Sequence, residues 1–83
     1  MHYVYILECA DNSLYAGYTN DLDNRLKVHN QGKGAKYTRG RLPVKLVYSE
    51  NIENKSDALK REYQIKRMTR KRKVELIKIS IYN

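Results

Sequence analysis

Tyr3-Val4-Tyr5-Ile6-Leu7 and, after a polar break, Leu14-Tyr15-Ala16-Gly17-Tyr18-Thr19 form the stretch on which the fold turns. The first run alternates aromatic and aliphatic residues, and the second resumes the same strand-like pattern. Between them lies Asp11-Asn12-Ser13, whose short polar side chains bond back onto the chain in turns. The pair predicts a β-hairpin with Tyr5 and Tyr15 on adjacent strands. The length of the loop leaves their register open, and a slip of one residue would turn every side chain to the opposite face.

Downstream of the hairpin, Asn20 or Asp21 can cap a helix through a side-chain oxygen. Leu22, Leu26 and His29 recur at the spacing of one helical face, and Arg25, four residues before His29, points the same way. Gly32 and Gly34 end this helix, and Lys33 to Arg41 reads as a basic loop containing Tyr37. Pro43 precedes a third strand, Val44 to Tyr48, in which Val44, Leu46 and Tyr48 alternate. Ser56 or Asp57 opens a second helix running to about Met68. Thr69 caps a third, with Val74, Ile77 and Ile81 as its apolar stripe and Arg70, Lys71, Arg72 and Lys73 facing solvent or a ligand. The expected fold is α+β: a small antiparallel sheet of about three strands flanked by helices, in the order β-β-α-β-α-α.

The 83 residues make one domain, 1–83, with a modest core. A single cysteine, Cys9, excludes an internal disulfide and points to the cytoplasm. No apolar run approaches the roughly 20 residues of a membrane span, so no membrane partner is expected. Seventeen Lys and Arg against nine Asp and Glu give a formal net charge of +8. The cations are clustered: residues 66 to 73 read Lys-Arg-Met-Thr-Arg-Lys-Arg-Lys, and Lys33, Lys36, Arg39 and Arg41 form a second group. Clustered positive charge on a folded domain favours a polyanion, with nucleic acid ahead of an anionic membrane surface.

Glu62 stands out as a candidate for chemistry. Ala58, Glu62 and Ile65 share one helical face, flanked by Leu59 and Tyr63, so a carboxylate falls on an apolar stripe. Such a group is paired or coordinates a metal. An ion pair with Arg61, Lys66 or a strand residue and a metal site are both open readings. His29 is either a general base or proton shuttle, or a charged histidine stabilising the negative end of its helix. Arg25 either grips phosphate oxygens with its planar fork or is a solvated cation. Tyr5 and Tyr15 are packing residues or orient a water; a free phenol, with pKa of about 10, needs help to act as a base. Gly17, lacking a side chain, permits a close approach. Zinc clusters and phosphate-binding glycine loops are absent from the sequence.

In order along the chain, Tyr3-Val4-Tyr5, Tyr15-Ala16-Gly17, Arg25, His29 and Glu62 resemble the signature of the GIY-YIG nuclease domain. Tyr3 stands where the first tripeptide has Gly, and Ala16 where the second has Ile. Arg25 lies ten residues after the second-motif tyrosine, where the family places its helix arginine. His29 follows one turn later, where the family has His or Tyr. Residues 29 to 39 look like a small, stand-alone, bacterial, UPF0213-like branch. The resemblance implies a metal-dependent endonuclease in DNA repair or processing. Tyr5, Tyr15, Arg25, His29 and Glu62 would be catalytic, and Glu62 would hold one Mg²⁺ or Mn²⁺. Larger relatives carry a separate DNA-binding module. Here Lys33, Lys36, Tyr37, Arg39, Arg41, Lys66, Arg67, Arg70 and Lys71 would hold the substrate, expected to be DNA read with low sequence specificity. A protein partner supplying specificity fits the same picture. The alternative is a basic nucleic-acid-binding module on the same fold with little or no catalysis.

Overall fold

The structure is a computed structural model that describes residues 1–82, with side chains described through residue 80. Three strands and four helices follow in order: β1 (His2–Glu8), β2 (Leu14–Thr19), α1 (Leu22–Asn30), α2 (Lys36–Arg39), β3 (Lys45–Ile52), α3 (Lys55–Lys66) and α4 (Arg70–Tyr82). The sheet order is β2-β1-β3, with both neighbours antiparallel to β1. This is the expected antiparallel α+β arrangement, with α2 as an addition.

Because β1 is central, its two rows of side chains enter two different cores. Val4, Ile6 and Ala16 pack with Ala58 and Ile65 of α3 on one face. Tyr5, Leu7, Cys9 and Val44 pack with Tyr15, Leu22, Leu26 and Leu42 on the other. Hence Val4 through Leu7 are all buried, as expected for a strand covered on both sides. Burying a side chain such as Ile65 stabilises the fold by about 1.5–3 kcal/mol.

Helix ends follow local chemistry. Asp21 caps α1 by accepting from the Asn24 N–H at 3.2 Å. After α1, Gly32 takes a positive φ of 75°, which glycine adopts without strain, and its N–H donates to the His29 carbonyl at 3.0 Å. Thr69 precedes α4 and accepts from the Arg72 N–H at 3.2 Å, as anticipated. The start of α3 differs: Asn54, rather than Ser56 or Asp57, is the cap, accepting from the Asp57 N–H at 2.8 Å. The capping residue must lie three positions before the N–H it satisfies, and Asn54 alone meets that spacing.

Three further expectations need correction. The third strand runs from Lys45 to Ile52, and its strict alternation fails because an irregularity opposite Ile6/Leu7 pairs Ile6 with Tyr48 but Leu7 with Leu46. That extra residue shifts the phase, so Leu46 faces out while Val47 and Tyr48 are half-buried. Leu59 and Tyr63 do not flank the buried face of α3; they are 42% and 61% exposed. One residue along a helix rotates the direction by about 100°, which carries positions after Ala58 and Glu62 off the sheet. The basic stretch from Lys33 to Arg41 contains the single turn of α2. Such a short helix is not stable by propensity and is held by tertiary contacts. Val74 and Ile77 of the expected α4 stripe are half-buried; the Ile81 side chain lies outside the described residues. Among the described residues, no helix is long and apolar enough to cross a membrane.

Candidate active site

The hairpin register is Tyr5 opposite Gly17 and Leu7 opposite Tyr15, which sets both tyrosines on the α1 side of the sheet. His29, near the end of α1, drops onto them and is fully buried. Its Nε2 lies 2.9 Å from the Tyr5 hydroxyl and its Nδ1 2.9 Å from the Thr38 hydroxyl of α2. The Thr38 hydroxyl donates to the Ala35 carbonyl at 2.9 Å. A continuous hydrogen-bonded row therefore runs Tyr5–His29–Thr38–Ala35 beneath the surface. Tyr15 closes over it, meeting His29 edge-on with ring centroids 5.5 Å apart.

Two glycines leave room for this row. A Cβ on Gly17 would fall 2.5 Å from the Tyr5 hydroxyl oxygen and 2.6 Å from Cζ. A Cβ on Gly34 would fall 2.8 Å from Cγ of His29. Gly34 thus serves the imidazole rather than the helix end, which Gly32 makes.

Charge converges on the same point. Burial raises the Tyr5 phenol above its usual range; the adjacent Arg25 opposes the rise, and Tyr15 and Glu62 reinforce it. Burial, then the nearby positive charge of Arg25, lowers His29 below 6.5. The row is therefore neutral near pH 7, and His29 is not a charged partner for the end of its helix. Tyr5, 1% exposed, is as closed to solvent as His29, and half-buried Tyr15 is the ring of this group that reaches the surface.

Glu62, its side chain 20% exposed, forms an i,i+4 pair with Lys66 at 3.5 Å. Arg61, the other expected partner, instead braces Glu50 of β3 at 2.8 Å. Lys66 also reaches over the Tyr15 ring, 5.8 Å from its centroid. Among the described residues no three His, Cys, Asp or Glu side chains gather as a closed metal cage. One accessible hard carboxylate is nevertheless a donor set that suits Mg²⁺, which keeps several waters and takes its remaining oxygens from substrate phosphate.

The expected binding residues divide into two groups. Tyr37 stacks on Tyr15 with centroids 5.9 Å apart, and Arg41 lies 4.1 Å over the Tyr37 ring while bonding Asp11 at 3.1 Å. Tyr37, 42% exposed, is thus engaged with the site wall rather than free in a loop. Lys66 also borders the site. Lys33, Lys36 and Arg39 are exposed around α2, and Arg70 and Lys71 are exposed at the start of α4. Arg67 turns to Tyr63, its guanidinium 5.3 Å from the ring centroid. Sequence reasoning missed Thr38 and Gly34. The available signal was the short Gly34-to-Thr38 segment following a histidine on an apolar helical face, but nothing in residue type distinguishes Thr38 from a surface threonine.

Comparison with known proteins shows the family and the fold. The family described as GIY-YIG catalytic domain matches residues 1–75. A UPF0213 protein of Clostridium perfringens is 64% identical over 77 residues, 93% of this chain and 83% of the relative. One from Staphylococcus aureus is 58% identical, over 93% and 94% of the two chains. The solution NMR structure of a UPF0213 protein from Bacillus halodurans is similar at 51% identity and a TM-score of 0.62, covering 94% of this chain and 83% of that one. A protein of E. faecalis, also solved by NMR, is 43% identical with a TM-score of 0.66, covering 99% and 88%.

Proposed function

The chain belongs to the GIY-YIG catalytic domain family, and from that premise we propose that it is an endonuclease hydrolysing phosphodiester bonds in nucleic acid, with DNA as the substrate and repair or processing as the setting. The observation that carries the reading is the buried Tyr5–His29 bond with Tyr15 edge-on to His29, Lys66 joining Glu62 to the Tyr15 ring, and Arg25 one helical turn before His29 on α1. They come from four separate elements, and a plain binding surface has no need to assemble them.

Glu62 would hold one Mg²⁺ or Mn²⁺. Such an ion supplies Lewis-acid stabilisation to the scissile phosphate and its leaving 3′ oxygen. Arg25 offsets charge growing on the non-bridging oxygens. A water attacks phosphorus in line and forms the new P–O bond. Its proton passes to the Tyr5 oxygen, which substrate binding must uncover, as the Tyr5 proton moves to Nε2 of His29, and His29 returns that proton to solvent by the same route before the next turnover. The P–O3′ bond breaks with its electron pair on O3′, which takes a proton from solvent. In this relay the phenol never has to exist as a phenolate, so its raised pKa is no obstacle. Tyr15 orients the water above the row.

Lys33, Lys36, Arg39, Arg41 and Lys66 around the site, with Arg70 and Lys71 beyond, would hold backbone phosphates without reading bases. Each phosphate contact removed should lower the slope of log affinity against log salt by about 1. A second reading, a nucleic-acid-binding module that does not cut, draws on the Lys66–Glu62 pair, which occupies the carboxylate a metal would need. The deciding experiment incubates wild type, Glu62→Ala and Arg25→Ala with labelled single-stranded, duplex and branched DNA in Mg²⁺, Mn²⁺ or EDTA. Metal-dependent cutting by wild type alone supports the nuclease; binding by all three folded proteins with no cutting replaces it with the binding module.

A further inference from the structure

We propose that Thr38 is a positioning residue that holds His29 as the Nδ1–H tautomer, leaving Nε2 as the acceptor for the Tyr5 proton. A threonine hydroxyl has one proton. The Ala35 carbonyl, 2.9 Å from the Thr38 hydroxyl, can only accept, and the proton is assigned to it beside the Thr38 backbone N–H, which bonds the same oxygen at 3.1 Å. Toward His29, 2.9 Å away, Thr38 can then only accept, so Nδ1 carries the proton. In a neutral imidazole Nε2 is then bare, and the partner 2.9 Å from it, the Tyr5 hydroxyl, must donate.

The far end of the row agrees. The hydrogen-bond partner of the buried Tyr5 hydroxyl is Nε2 of His29, so a phenol proton not given to Nε2 would be left buried and unpaired. All bonds thus point one way: Tyr5 to His29, His29 to Thr38, Thr38 to Ala35. Gly34 lets the same segment lie against the ring, since a Cβ there would fall 2.8 Å from Cγ of His29. Thr38 accepts from Nδ1 whether the ring is neutral or has received a second proton at Nε2. The lock therefore survives the transfer it prepares.

For the reaction, this role rests on the nuclease reading, but the tautomer does not. The test is long-range ¹H–¹⁵N correlation of the imidazoles in full-length protein at neutral pH, for wild type, Thr38→Ser and Thr38→Val. Wild type and Thr38→Ser are expected to show His29 as Nδ1–H with bare Nε2. Folded Thr38→Val should lose that preference, and its kcat should fall about 10- to 100-fold with KM unchanged and Thr38→Ser restored. An Nε2–H tautomer in wild type overturns the lock without any variant, which covers the case in which Thr38→Val fails to fold. An unchanged tautomer in folded Thr38→Val overturns it as well. A locked wild type that cuts no nucleic acid supports the lock and sinks the nuclease reading alone.

Discussion

The two faces of β1 are built from one seven-residue strand and solve opposite problems. On the α3 face, Val4 and Ile6 meet Ala16, Ala58 and Ile65, an aliphatic layer whose polar groups, the Tyr18 and Tyr48 hydroxyls, lie at its half-buried margin and bond His2 and Glu50. On the α1 face, Tyr5 leads into a buried row of hydroxyl, imidazole and hydroxyl. Every member of that row has a partner, and no buried side-chain polar atom is left unpaired among the described residues. A satisfied buried network contributes little net stability, yet becomes costly once one member is lost. The difference teaches that the first face holds the domain together, while the second spends core volume on placing a proton.

The largest effect that can break this contrast is expected on the aliphatic face. Ile65→Ala should destabilise by about 2–5 kcal/mol in urea unfolding while leaving cutting per folded molecule intact. A parallel loss of cutting would mean that the two faces are not separable. Next comes Arg25→Ala, which should lower the cleavage rate by about 10²–10³-fold, with a melting temperature near wild type. If it instead unfolds the domain while each folded molecule still cuts, Arg25 belongs to packing. Gly17→Ala should cost about 1–3 kcal/mol, because its Cβ would meet the Tyr5 hydroxyl oxygen at 2.5 Å. Its loss of cutting should exceed what the unfolded fraction explains; equal losses would make Gly17 a packing residue only.

The smallest effect is one of pH. The pKa of His29 is lowered on folding, chiefly by burial, so the unfolded chain binds the extra proton first as pH falls through 6.5. Stability should therefore decline from pH 6.5 toward the carboxylate range, and cutting should fall in the same direction as the relay's acceptor fills. Urea titrations of wild type and His29→Gln across that window test the sign. The variant should be flatter, and equal slopes would show that His29 titrates alike in both states.

The sequence made the scaffold legible where local chemistry decides it. Alternating Tyr, Val and Ile marked the hairpin strands, Asp21 marked the start of α1 and Thr69 that of α4, because caps and turns act over three or four residues. Register was not legible; it emerged from the pairing of Tyr5 with Gly17. Nor was α2, whose turn depends on Tyr37 lying on Tyr15 and Thr38 on His29, contacts spanning many residues. Tyr5, Tyr15, Arg25 and His29 stood out by their order as a motif and Glu62 by its place on an apolar helical face, but which of them are shut from water is a property of packing. Leu59 and Tyr63 misled for a related reason: apolar residues beside a buried stripe are not thereby on it.

The first turn of α4 holds Arg70, Lys71, Arg72 and Lys73 and no acidic residue, so positive side chains crowd the positive end of a helix. The free domain therefore carries internal repulsion that a bound polyanion relieves, and ligand and fold become thermodynamically linked. Added salt should then act in opposite senses, raising the melting temperature of the free protein by screening and lowering that of the complex by weakening it. A domain of this kind would be at its most heat-resistant not in its purified form but while seated on nucleic acid.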